Sequence, residues 1–203
     1  MHLTKVLLNG PRLRRPVTST NITNESPSNV LLLHVSARFA QLFSEMDGDS
    51  QEEKRPGPLA IWSVDVCSVP RLGRFVLFSE DHSLFTFIIS SGYGRSLAPV
   101  LEAFQRSRQE LIHELGLSEF APISFTTARF GKRSNRHIIG SQNDLIYLLK
   151  AHLENTVLPL KEDRLRKVQD YLNQAPMSYL GMHSPRFALF GCHDKIGFLD
   201  HPG

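Results

Sequence analysis

The chain predicts an α+β fold: a small antiparallel sheet, arranged as a meander, with helices packed mainly on one face. Three observations carry that expectation. Three strand-like runs follow one another, "LAIWSVDVCSV" (59–69), "GRFVLFSE" (73–80) and "SLFTFIIS" (83–90), separated only by the turn signals "PRLG" and "EDHS". Connections that short suit antiparallel neighbours, because a parallel crossover needs about a dozen residues or more. Helical apolar spacing then takes over in the second half of the chain, and strands followed by helices are the mark of α+β architecture.

Taken in order, residues 1–28 read as a disordered basic extension. Lys5, Arg12, Arg14 and Arg15 against Glu25 account for the whole net charge of +3, and Pro, Ser, Thr and Asn fill most of the remainder. Such a segment buries too little apolar area to offset chain entropy. Its Arg-rich, acid-poor character resembles a transit peptide without the sustained amphipathic pattern, and a translation start near Val30 is a further expectation. Residues 29–203 are expected to form a single α+β domain. Within it "VLLLHVS" reads as a buried strand, and Ser36 as the N-cap of a helix carrying Phe39, Leu42, Phe43 and Met46. "DGDSQEEKRPGP" is a polar loop before the meander.

After the meander, "SGYGRS" (91–96) leads into a long helix. It lacks both the G-x-x-x-x-G-K-[ST] and the G-x-G-x-x-G forms, so it reads as a strand-to-helix turn with Ser96 as N-cap rather than as a phosphate loop. Leu97, Val100, Leu101, Phe104, Leu111 and Leu115 mark the buried face of that helix, and Gly116 its C-terminal cap. "APISFTT" suggests a short strand. Leu145, Leu148, Leu149, His152 and Leu153 trace a further helix, and residues 161–174 another, with Leu165, Val168, Tyr171 and Leu172 facing inward. The last thirty residues read as turn-rich and irregular.

Composition excludes some functions. The longest apolar runs fall far short of the roughly 18 residues a membrane span requires, so no membrane partner is expected. Cys67 and Cys192 lie far apart without a CxxC pair, which implies no disulfide framework and a cytoplasmic setting. Beyond residue 28 acidic and basic side chains balance, so no global field favours nucleic acid and any anion site must be local. His183, Cys192, His193, Asp194 and His201 lack the paired spacing of a zinc site. No metal or other cofactor is expected. His34 and His152 sit in apolar patterns, as core or boundary histidines do.

The stretch "RFGKRSNRHIIGSQNDL" (129–145) is the candidate site. Arg129, Lys132, Arg133, Arg136 and His137 fall within nine positions, on what reads as a flexible loop. Ser141-Gln142-Asn143-Asp144 then fits a capping box, with Ser141 accepting from the Asp144 backbone and Asp144 returning to that of Ser141. A helix start attracts anions, and Arg offers a planar fork for phosphate. The ligand-binding candidates are therefore Arg129, Lys132, Arg133, Asn135, Arg136, His137, Ser141 and Asn143. His137 and Asp144 are the residue types for acid–base chemistry, but no nucleophile elbow or HExxH motif accompanies them.

Two motifs carry a resemblance. "NRHIIGSQNDL" (135–145) looks like the N-R-S-x-x-G-S-M-N-D-L signature of a functionally uncharacterised family of small bacterial domains. "LNQAPMSYLGMHSP" (172–185) is similar to its L-N-x-x-P-M-x-x-L-G-x-x-x-P ending, and "FVLFSEDHSLFTF" to its hairpin. The likeness spans about residues 29–187. His137 stands where that pattern has Ser, and Gln142 where it has Met. The resemblance implies a fold and no activity. The functional expectation is a binding module whose basic stretch contacts an anionic partner, with nucleic acid or a nucleotide preferred and an acidic protein next. The alternatives are a regulatory protein acting through protein contacts and an enzyme on a phosphorylated substrate.

Overall fold

Alternation along the strands decides the layers. The computed structural model describes residues 30–43, 59–92, 96–116, 125, 127–154, 160 and 162–197. Its strands are β1 (Val30–Val35), β2 (Ile61–Val69), β3 (Gly73–Glu80), β4 (Thr86–Gly92) and β5 (Thr127–Lys132). Its α-helices are α1 (Ala37–Leu42), α2 (Ala98–Glu114), α3 (Arg136–Leu153), α4 (Glu162–Gln174) and α5 (Pro185–Gly197), with a 3-10 turn at Ser178–Leu180. Trp62, Val64, Val66, Val76, Phe78 and Phe87 share one face of the sheet with Phe39 and Phe43 from the α1 segment and Val100, Phe104, Leu111 and Ile112 of α2. On this side Trp62 stacks on Phe87 at 5.5 Å, and Phe104 stacks on Phe78 at 4.1 Å.

The alternate positions make a second core. Cys67, Val69, Phe75, Leu77 and Ile88 pack against Ile138, Leu145, Ile146 and Leu149 of α3, Val168 and Leu172 of α4, and Met177. The α+β class holds, but helices cover both faces rather than mainly one. The cause lies in β2 and β3, which place apolar side chains on both alternations, and each apolar surface needs a cover.

Sheet order is β4-β3-β2-β1-β5. The expected meander is present, with β2–β3 and β3–β4 antiparallel. β1 adds a parallel pairing with β2 on one side and with β5 on the other. Ser36 caps α1 as expected, its hydroxyl accepting from Phe39 N at 3.2 Å. Gly116 ends α2 at φ 68°, a left-handed position that a glycine takes without strain.

Other expectations are corrected. Ser96 does not cap α2; the N-cap is Leu97, and Pro within the first turn starts the helix instead. Residues 93–95 of "SGYGRS" lie outside the described residues, as do 1–29. The irregular C-terminus contains α5, whose weak amphipathicity hid it. Tyr171, expected inward, is 47 % exposed.

Candidate functional site

The basic stretch is not a loop. Its first half is β5, which pairs residue for residue with β1 from Val30↔Thr127 to Val35↔Lys132. Arg133 N continues the ladder to Val35 O at 3.3 Å, and Asn135 then caps α3, its Oδ1 accepting from His137 N at 3.0 Å and Ile138 N at 3.4 Å. The capping box at Ser141 is therefore not formed. Ser141 and Gln142 are buried within the helix, and Asp144 is exposed on its outer side. The first free helical N–H groups belong to His137 and Ile138, and Asn135 occupies them.

Two of the nine candidate residues, Arg133 and Ser141, point into the protein. The side chain of Arg133 is 10 % exposed and donates through Nη2 to Asp65 Oδ2 at 3.1 Å, while Nη1 donates to Gln142 Oε1. Asp65 is fully buried and also accepts at Oδ1 from Ser36 Oγ (2.6 Å) and Val66 N (2.8 Å). Gln142 Nε2 donates to Ser63 O (2.8 Å) and Ser79 Oγ (3.1 Å), and Ser79 shares a hydrogen bond with Thr86 at 2.8 Å. Thr86 is in turn held at both backbone groups by Asn173 of α4: its N–H donates to Oδ1 (2.7 Å), and its carbonyl accepts from Nδ2 (2.9 Å). A polar chain thus crosses the second core from Ser36 to Asn173. Each charge in it has a partner, as burial demands. Ser141, also buried, is the second inward candidate.

The others face outward or nearly so. Lys132, Asn135, Arg136, His137, Asn143 and Asp144 are exposed, and Arg129 is half-buried. Arg38, one turn into the segment after β1, is exposed as well. No Asp or Glu occurs between Phe120 and Asn143, so this stretch is locally basic within a body, residues 29–203, whose charges sum to zero only with it included. His137 and Asp144 lie seven residues apart on one helix, about 10 Å along its axis. They cannot share a proton directly.

Sequence reasoning missed two acidic residues. Asp65 is the one charged residue of β2, a pattern that signals a buried partner. Asp81 receives a hydrogen bond from His34 Nδ1 at 2.9 Å, which satisfies the expected boundary histidine. Gly131 lies beside that ring; a Cβ there would stand 3.2 Å from His34 Cδ2. Burial pushes the Cys67 thiol up to about 11, so it stays protonated and unreactive near neutral pH. Among the described residues no group of three or more His, Cys, Asp or Glu could hold a metal ion. Among the described residues, too, no helix is long and apolar enough to cross a membrane.

This architecture is that of an α+β domain with a mixed five-stranded sheet, a polar seam inside one core and a basic strand-to-helix junction at its edge. The chain belongs to the family described as a domain of unknown function (DUF6933), whose model matches residues 34–188. Both motifs quoted above lie within that span. A search of curated proteins found no match.

Proposed function

We propose that this domain is a binding module for an anionic partner, nucleic acid or a nucleotide in preference to an acidic protein surface, acting in the cytoplasm. One observation carries the reading. β1 and β5 are adjacent and parallel, and the segments that follow them leave toward opposite faces, α1 into the first core and α3 into the second. In open sheets with parallel strands, ligands seat outside the carboxyl ends at such a divergence. Here those ends carry Arg38, Lys132, Arg136 and His137 in solvent. The buried carboxylate Asp65 is already matched by Arg133, and Asp81 by His34. Among the described residues, Arg38, Lys132 and Arg136 form no ion pair.

In this reading Arg133 positions the junction, Lys132 and Arg136 meet the anion, and Asn135 sets the helix start that orients them. The test is fluorescence anisotropy of a labelled oligonucleotide across a salt series, with Lys132→Ala and Arg136→Ala singly and together. Each lost phosphate contact lowers the log–log salt slope by about 0.7 on a single strand. Wild-type affinity that ignores salt, or a double variant that binds as wild type, refutes the assignment.

A further inference from the structure

The second family motif builds a rigid, solvent-facing loop beside the basic junction, and its construction is more elaborate than a chain reversal requires. Within seven residues Leu180 N and Met182 N donate to Met177 O, Gly181 N to Ser178 O, His183 N to Leu180 O, and Met177 N back to His183 O. Met177 anchors it in the second core. Two successive residues take left-handed backbone, Gly181 at φ 64° and Met182 at φ 67°. A glycine does this freely, whereas a long side chain does so at an energetic cost. That cost brings no burial: Met182 is 65 % exposed, and Tyr179 is 41 % exposed.

The rings on this loop are already ordered. His137, the second residue of α3, lies parallel to Tyr179 with centroids 5.7 Å apart and planes 12° apart. Four residues beyond Tyr179, His183 stacks on Phe187 at 4.6 Å and 22°, and Phe187 is 60 % exposed. Arg136 adjoins His137 in solvent at the helix start. The charge pattern of the two segments matches: no Asp or Glu occurs from Tyr171 to His193, as none occurs from Phe120 to Asn143.

Flat rings held in place beside exposed cations, with carboxylates kept out of both contributing segments, are what unpaired bases on a phosphate backbone require. A double helix hides its base faces, and an acidic protein offers none. We infer that His137, Tyr179 and the 177–183 loop form a stacking platform for the bases of a single-stranded nucleic acid. This inference rests on the anion-binding reading and adds base recognition to it.

The experiment measures anisotropy of the full chain with three fluorescein-labelled decamers: dT, rU, and an abasic strand with the same number of phosphates. Wild type should hold at least one base-bearing strand about 10-fold or more tighter than the abasic one, and the preferred sugar then names the source. Tyr179→Ala should lose affinity for that strand by roughly 5- to 100-fold while leaving the abasic affinity unchanged. Tyr179→Phe should keep the preference. If Tyr179→Ala does not fold, His137→Ala at the exposed helix start serves in its place. Equal binding of base-bearing and abasic strands overturns the platform and leaves the anion site standing. No binding of any strand overturns both.

Discussion

Removal of the Arg133 guanidinium tests whether the polar seam holds the junction in place. Asp65 has no solvent exposure and Arg133 little, so water cannot take over from the lost partner. In Arg133→Met the carboxylate keeps the Ser36 and Val66 donors on Oδ1 but loses the Arg133 donor on Oδ2, and Gln142 Oε1 loses Arg133 as well. Breaking one side of a buried pair costs about 3–5 kcal/mol. The two remaining hydrogen bonds put this case at the lower end, about 3 kcal/mol, or roughly 6–12 °C in Tm for a chain of this size. Asp65→Asn alone turns an amide donor toward the guanidinium and costs about 2 kcal/mol or more. Together the changes remove both charges, so the double variant should be less destabilised than the sum by at least about 2 kcal/mol. Urea unfolding read by Trp62, the single tryptophan and fully buried, measures all four proteins. A loss below about 1 kcal/mol in Arg133→Met, or strictly additive losses, would refute a coupled buried pair.

Two further outcomes are expected. Glu80 is 4 % exposed, and burial raises its carboxyl above the usual range although Ser83 and His82 donate to Oε2. Its contribution is fully present below the unfolded value of about 4.3 and is lost as pH rises through the folded one. Glu80→Gln keeps an acceptor, so its Tm relative to wild type should climb between pH 4 and pH 8; a pH-independent difference counts against the assignment. Gly140 lies inside α3 without positive φ, and a Cβ there meets no atom within 4 Å. Gly140→Ala should raise thermal stability by up to about 1 kcal/mol, and a loss instead would mean that the backbone there depends on glycine.

Much of the fold was legible because periodicity reports local structure. β3 matches its expected run end to end, and α4 begins within one residue of expectation. The start of α3 was misread for a physical reason. Ser141-x-x-Asp144 is a sound capping pattern, but Asn135 offers an equivalent oxygen six residues earlier. Ile138, two turns before Leu145, then gains a place in the second core. Burying an isoleucine contributes about 2 kcal/mol, which outweighs the roughly 1 kcal/mol that Gly140 costs in a helix. The contest was visible in the spacing of Ile138 and Leu145. The seam was not, because Arg133 and Asp65 are 68 positions apart and no local pattern joins them.

The same division explains why motif likeness could not identify a site. Each motif splits its residues between the interior and the surface. From the first, Ile138, Ser141, Gln142 and Leu145 go inward, and Gln142 reaches Ser79; from the second, Leu172, Asn173 and Met177 go inward, and Asn173 reaches Thr86. Ser79 and Thr86 are cross-strand partners joined by a hydrogen bond, so the two motifs meet inside through β3 and β4. They meet outside through His137 and Tyr179. Gln142 and His137 are the two departures from the resembled pattern, and one falls on each contact. Gln142 supplies Arg133 with an amide oxygen where a methionine would offer only a weakly accepting sulfur, and His137 supplies a ring where serine has none. The inner departure is fully accounted for by satisfying a buried guanidinium. The outer one is exposed and satisfies no buried group, so its explanation has to be sought in what the surface contacts.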